Sequence, residues 1–349
     1  MYYLSFFSDY NFFSYISVRS FFAFFLALSL SFFILPRFIK WAKSKGTNQP
    51  INNYVPMHLA KSSTPTMGGV IFISTTLIAS LFCVKFSTLS ICALLCLILF
   101  ALIGFVDDYN KIIYKNNIKG LSPKMKLFLL ALASFICVLS LYFSIGTELY
   151  IPFYKYPLFD MGIFSIVFWI LVLLSSSNAV NLTDGLDGLA TMPCIFSLLS
   201  LGAFMYLSGS AFYSAYLLLP RVLELGELVV IVSALIGALI AFLWYNCHPA
   251  QLFMGDSGSL ALGGFLGFLA IASKNEILLI LIGFVFVLET ISVILQVGIF
   301  KLFHKRFFKM APIHHHFEKK GWPESKIIIR FWIISLLTNL LALMTIKLR

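Results

Sequence analysis

Asp107 and Asp108 stand side by side at the end of an apolar run, directly ahead of Lys111, Lys115 and Lys119. On a helix, neighbouring side chains point about 100° apart, so the two carboxylates can take different tasks, one on a metal and one on a proton. A second acidic group follows in Asn181-Leu-Thr-Asp184-Gly185-Leu-Asp187-Gly, where the two acids share a face if the segment is helical, while each Asp-Gly pair favours a turn. Asn178 and Asn181 precede those acids and no cation interrupts them, which makes the stretch a dense set of acceptors suited to sugar or base hydroxyls and amides. Asp256, in Gly255-Asp-Ser-Gly258, suits either a helix cap or a hard cation held with its phosphate beside exposed N–H groups. His314, His315 and His316 lie between Lys301, Lys305, Arg306, Lys309 and Lys319, Lys320, with no cysteine beside them, so phosphate binding or proton transfer suits them better than zinc. Carboxylates for Mg²⁺ and a basic, His-rich rim for phosphates suit phosphoryl transfer. Neither a Walker loop nor a GxGxxG is present, which removes the usual support for ATP hydrolysis and dinucleotide redox chemistry.

The elements that carry these residues are apolar. Of 349 residues, 60% are hydrophobic and 11% charged, with mean hydropathy +0.96 and 38 Phe, against about 25% charged residues in soluble domains. That excludes an ordinary soluble enzyme and predicts an all-α, polytopic membrane protein. Apolar windows place ten spans, near 18–38, 67–86, 88–106, 127–146, 162–180, 189–208, 227–245, 258–273, 277–300 and 328–347, with the end of the run 189–219 open. Loops after the odd-numbered spans, with Arg37 counted at the first, hold 17 Lys or Arg; the alternate loops hold four, Lys85, Lys155, Arg221 and Lys274. The basic loops therefore face the cytoplasm and both termini face the periplasm, so the net charge of +11 is first a topology signal and not a nucleic-acid signature. The run Phe21 to Leu35, behind Arg19 and ahead of a basic stretch, is a retained first span and not a cleavable signal. Residues 1–17, rich in Tyr and Phe, read as a periplasmic interfacial segment, and 18–349 as one transmembrane domain. The six cysteines lack paired spacing and read as small core residues.

The polar segments Lys61–Gly69, Asp107-Asp108, Asn178–Gly188, Asn246 with Met254–Gly258, and Pro312–Phe317 each fall in or beside a different odd-numbered loop. Five such segments on one face of a bilayer predict one composite cytoplasmic site. Glu289 is the one acid well inside a span, which makes it functional, a hydrogen-bond partner of a neighbouring helix or the support of a helix break; Gln296 follows on the same span.

Thr64-Pro-Thr-Met-Gly-Gly69, Phe105-Val-Asp-Asp-Tyr109, Asn178–Gly188, Met254-Gly-Asp-Ser-Gly-Ser259 and Ala311-Pro-Ile-His-His-His-Phe-Glu318 with Gly321-Trp-Pro-Glu324 closely resemble the phospho-N-acetylmuramoyl-pentapeptide-transferases, over roughly residues 36 to 330. The Asp-Asp and Asn-Leu-Thr-Asp-Gly motifs mark the wider polyprenyl-phosphate N-acetylhexosamine-1-phosphate transferase superfamily, and the His and Gly-Trp-Pro-Glu loop marks the muramoyl-pentapeptide branch. The resemblance implies Mg²⁺-dependent transfer of phospho-MurNAc-pentapeptide from UDP-MurNAc-pentapeptide to undecaprenyl phosphate, giving lipid I and UMP. It implies a bacterial inner-membrane enzyme among membrane lipids, a homodimer, with its site on the cytoplasmic face. By position, Asp107, Asp108 and Asp256 match catalytic acids and the metal site, with Asp256 the Mg²⁺ ligand; His315, flanked by His314 and His316, matches the essential histidine loop. Asn181, Asp184, Gly185, Asp187, Asn246 and Phe253 match the uridine and sugar pocket, and Lys61, Thr66, Lys111, Lys124 and Gln296 its polar rim. Departures are Ser63 and Val55-Pro56 where the family often has glycine and Gly-Pro, with His58 and Lys61 kept.

Two routes fit these residues. Asp107 or Asp108 can take a proton from the acceptor phosphate, which attacks the β-phosphate directly, or an Asp can attack first and form a phosphoryl-enzyme. Rival functions are a sister transferase using UDP-GlcNAc or another UDP-HexNAc, a secondary transporter, whose sites lie near the bilayer midplane, and a lipid-binding scaffold.

Overall fold

The computed structural model describes Tyr2 and residues 11–45, 64–114 and 120–348. They form helices α1 (Ile16–Lys45), α2 (Gly68–Cys83), α3 (Thr88–Ile113), α4 (Pro123–Ser144), α5 (Phe164–Thr183), α6 (Thr191–Gly209), α7 (Ala211–Leu217), α8 (Leu228–Asn246), α9 (Asp256–Ala272), α10 (Leu279–Ile282), α11 (Phe284–Phe303), α12 (Ile313–Glu318) and α13 (Glu324–Met344). A two-residue hairpin, β1 (Glu148–Leu149) and β2 (Phe159–Asp160), is antiparallel with Glu148 opposite Asp160, a small exception to the all-α expectation. Each apolar window overlaps helical structure. Among the described residues, eight helices are long and apolar enough to cross a membrane; α2 and α9, with 16 and 17 residues, are shorter apolar helices.

Helix α9 is the centre of the bundle. Every residue from Ser257 to Ala272 is buried, and Gly258, Gly263, Gly264 and Gly267 recur along it, small residues that let helix backbones approach closely where lipid provides no hydrophobic drive between helices. It packs against α3 and α5, and Ser177 Oγ of α5 donates to the Leu260 carbonyl at 3.0 Å.

Two windows differ from their helices. The run 189–219 breaks at Ser210, whose hydroxyl accepts from Tyr213 N as the cap of α7. The window 277–300 divides at Gly283 into α10 and α11. The carbonyl of Ile282 at this break accepts from Asn339 Nδ2 (3.0 Å) and Ser197 Oγ (3.2 Å); irregular backbone survives in an apolar medium when protein groups satisfy it. Beyond the break, burial in α11 is confined to Val285, Phe286, Glu289 and Ser292, and Ile294, Leu295, Val297 and Phe300 are exposed. The second half of α11 therefore leaves the bundle.

At the end of the bundle away from the acidic motifs, Arg19 of α1 forms a two-pronged pair with Glu227, Nη1 to Oε2 at 2.6 Å and Nη2 to Oε1 at 2.8 Å, while the backbone N–H of Lys85 also donates to Glu227 at 3.1 Å. Both side chains are buried. The pair fastens α1, the α2–α3 connection and the start of α8. Because removal of one partner strands a buried charge at a cost of about 3–5 kcal/mol whereas apolar replacement of both is often neutral, Arg19→Met is expected to lower the thermal midpoint of the detergent-solubilised protein markedly. Arg19→Met with Glu227→Leu is expected to recover most of that loss, as scanning fluorimetry of both variants would read.

Candidate active site

The C-terminal end of α3, the first turn of α4, the C-terminal end of α5 and the first turn of α9 meet at one end of the bundle. Their juncture rests on Gly104, where any Cβ would collide with the Asp256 carbonyl and Ser257 Cα, so α3 and α9 touch backbone to backbone. Asp107 and Asp108 then arrive beside the start of α9, both buried.

Asp108 does not face outward. Its two oxygens accept from Asp256 N (3.0 Å) and Ser257 N (2.9 Å), so it caps α9 from another helix and leaves the Asp256 side chain free of that duty. Gly255, at φ +78°, makes the turn possible, and a Cβ there would press on the Asp108 carboxylate. The N-cap alternative for Asp256 is thus replaced by Asp108 in that role.

Asp107 and Asp256 converge on the same cations. Lys111 Nζ lies 2.7 Å from Asp107 Oδ2 and 2.8 Å from Asp256 Oδ2, and Lys126 Nζ lies 3.4 and 2.7 Å from the same two oxygens. Leu121 N donates to Asp107 Oδ1 at 2.5 Å, and Asn181 Nδ2 donates to Asp256 Oδ1 and to Ser259 Oγ, both at 2.8 Å. Two carboxylate oxygens within reach of one shared cation, all donors being hard oxygens, fit a site for Mg²⁺.

The tandem Asp-Gly stretch is not helical: α5 ends at Thr183 and the acids sit in successive turns. Burial, then the charges of Asp256, Asp108 and Asp187, push the Asp184 carboxyl well above the usual carboxylate range. Asp187 faces elsewhere. Its Oδ2 accepts from Ala250 N at 3.1 Å and lies 3.0 Å from His248 Nδ1, while its backbone N–H donates to Glu324 Oε1 at 3.0 Å. Asp187, His248 and Glu324 offer ligand atoms within 4.8 Å of one another, a second group able to hold a metal. Asn246 is spent on structure, accepting from Thr191 Oγ1 (2.8 Å) and donating to the Leu252 carbonyl (2.9 Å). Phe253, half-buried, exchanges backbone bonds with Pro65 and Gly68, which hold buried Thr66 beside Gly255.

The three histidines separate. His314 is buried against Gly185, where its ring fills the space a side chain would occupy, and its Nδ1 lies 3.1 Å from Glu289 Oε1. Glu289 thus supports the histidine loop. His315 Nδ1 pairs with Glu318 Oε2 at 2.5 Å. His316 Nδ1 accepts from Lys309 N at 3.0 Å, and burial with the charges of Lys320 and Lys309 lowers its pKa, which favours the neutral ring. Gln296 Oε1 accepts from Phe308 N at 2.8 Å and braces the loop after α11.

The structure brings together Asp107, Asp108, Asp256, Lys111 and Asn181, with Asp184, Gly185 and His314 alongside. Lys124 is exposed and away from them, and Lys126, two residues on, takes the place at the acids. Lys61 lies outside the described residues. Lys126, Ser259 and His248 were not singled out in the sequence: five lysines crowd the α3–α4 segment and nothing local marks Lys126 as one that reaches the acids.

The chain matches the family profile described as glycosyl transferase family 4 over residues 90–274, and the phospho-N-acetylmuramoyl-pentapeptide-transferase signature 1 over residues 61–73. It is 70% identical to the phospho-N-acetylmuramoyl-pentapeptide-transferase of Campylobacter jejuni subsp. jejuni serotype O:6, with all of both chains covered. It is 66% identical to that of Campylobacter lari over all of both chains, and 58% identical to that of Helicobacter hepaticus over 97% of each.

Gly104→Ala is expected to part α3 from α9 and to cut turnover at least about tenfold, since small misplacements at a reacting centre are costly. Gly298→Ala, where a Cβ meets nothing within 4 Å inside α11, is expected to leave turnover unchanged and not to lower the thermal midpoint.

Proposed function

The chain belongs to the phospho-N-acetylmuramoyl-pentapeptide-transferase family, and on that premise we propose how its residues carry the family's reaction. The enzyme transfers phospho-MurNAc-pentapeptide from its UDP carrier to a polyprenyl phosphate, making lipid I and UMP; undecaprenyl phosphate is the acceptor that the family resemblance implies. It is a multi-pass membrane protein. Lysine and arginine placement supports ten spans, both termini in the periplasm and the site facing the cytoplasm, with residues 18–349 as one transferase domain. A homodimer is the further expectation from the family.

One observation carries the mechanism: Asp107 and Asp256 share the cations between them. Asp107 and Asp256 are the residues that would hold Mg²⁺, which would supply charge neutralisation on the donor pyrophosphate. Lys111 and Lys126, which meet both carboxylates, are placed to donate to phosphate oxygens at the same point. Asp108 acts through α9, fixing the direction of Asp256 and of the helix N-terminus, which favours anions. An acceptor phosphate oxygen then forms a bond to the β-phosphorus as the bond to the UMP oxygen breaks, and UMP leaves with that electron pair. Direct displacement is favoured over a phosphoryl-enzyme because each of the three acids is tied to ammonium or N–H donors, which blunts a carboxylate as a nucleophile. Asp184, Gly185 and Phe253 line the uridine and sugar side, Asp187 braces that loop from behind through Ala250 and His248, and His314, His315 and His316 close over it. Asn246 and Gln296 shape that side from behind, and Thr66 borders it. An apolar groove of about 360 Å³ between α5 and α11, lined by Phe168, Val172, Val180, Phe286 and Thr290, suits the isoprenoid chain of the acceptor.

Purified protein given undecaprenyl phosphate is expected to release UMP and form lipid product from UDP-MurNAc-pentapeptide with Mg²⁺, and none with EDTA. Product from UDP-GlcNAc at a comparable rate would assign it to a sister branch.

A further inference from the structure

Where α11 leaves the bundle, its last turns and the segment leading to α12 enclose a basin of about 570 Å³. Lys301, Arg306, Lys309 and Lys319 line it together with apolar Val297 and Phe300. Among the described residues no carboxylate lies within ion-pair reach of those four cations; the one polar contact inside the set is Lys309 Nζ to the Lys319 carbonyl at 3.4 Å. Four like charges gathered without counter-ions destabilise a surface unless an anion is brought to it.

The basin is joined to the site by short contacts. Lys309 N donates to His316, Gln296 accepts from Phe308 N, and two residues before His316 the ring of His314 rests on Gly185 in the donor loop. A donor whose nucleotide and sugar sit over Asp184–Asp187 therefore has one substituent able to continue past the histidine loop, the peptide on the muramoyl lactyl group. Its N-terminus is consumed by that amide link, so the peptide carries no compensating ammonium there and ends in a free carboxylate.

We propose that this basin is the subsite for the peptide arm of the donor, with Arg306, Lys309 and Lys319 reading its carboxylates and Val297 and Phe300 its aliphatic parts. The proposal rests on the functional reading above. An anionic phospholipid headgroup has related chemistry, but the contacts lead from the basin to the donor loop, and this favours the peptide.

The test is a cycle in neutral detergent without phospholipid. UDP-MurNAc-pentapeptide and the same donor with its peptide carboxylates amidated are compared on the wild type, on Arg306→Gln/Lys309→Gln/Lys319→Gln, and on the charge-keeping Arg306→Lys/Lys309→Arg/Lys319→Arg. Exposed ion pairs contribute a few tenths to one kcal/mol each, so the neutral variant is expected to raise KM for the native donor about tenfold with kcat within twofold. The amidated donor is expected to show a raised KM that is the same in wild type and neutral variant, and the charge-keeping variant to stay close to wild type. Unchanged KM for the native donor, or equal losses for both donors, would overturn the subsite. A loss that appears only when anionic vesicles are supplied would assign the basin to lipid headgroups instead. No product from wild type with either donor would overturn the functional reading, and this proposal with it.

Discussion

Burying acids beside a membrane is the constraint from which the rest follows. An uncompensated carboxylate in a low-dielectric setting costs several kcal/mol even after relaxation, and Asp107, Asp108 and Asp256 occupy one small volume. The protein resolves this by dividing donors among them: two ammonium groups shared by Asp107 and Asp256, and two backbone N–H groups given to Asp108. The second device matters most for architecture. By capping α9 from α3, Asp108 satisfies N–H groups that a helix start leaves open and locks the direction in which Asp256 points.

The helices can be read as supports for that junction. Gly104 allows α3 to meet α9 at backbone distance, and the glycines of α9 let α5 approach so that Asn181 reaches both Asp256 and Ser259. At the far end of the bundle the buried Arg19–Glu227 pair anchors α1 to the start of α8. The break at Gly283 has a comparable use. It lets α11 begin anew with Glu289 buried on its first half, where α12 brings His314 onto Glu289 and Gly185.

Spans, loop charge and the five polar segments were legible because each is a local property: apolar length, cation count, turn residues. Gly283 was not, since a glycine in an apolar run breaks a helix only when groups such as Asn339 and Ser197 wait to take the freed carbonyl. The exchange of roles between Asp108 and Asp256 was equally hidden. Sequence placed Asp256 at a helix start and so allowed it to be a cap, but the capping carboxylate comes from a residue 148 positions earlier. Lys126 escaped for the same reason, and Lys124, nearer the motif in type and spacing, points to solvent. Glu289, legible as an unusual intramembrane acid, gained its meaning only when the chain returned His314 to it.

Divalent cation binding separates the three acids most directly. Mn²⁺ titration followed by electron paramagnetic resonance on detergent-solubilised wild type, Asp107→Asn, Asp256→Asn and Asp108→Asn is expected to show affinity falling at least about tenfold in the first two variants, consistent with loss of a carboxylate ligand. Asp108→Asn is expected to keep binding within about threefold while lowering the thermal midpoint, because it loses a helix cap and not a ligand. Unchanged affinity in Asp107→Asn or Asp256→Asn, or a loss confined to Asp108→Asn, would contradict the division of labour on which this account depends.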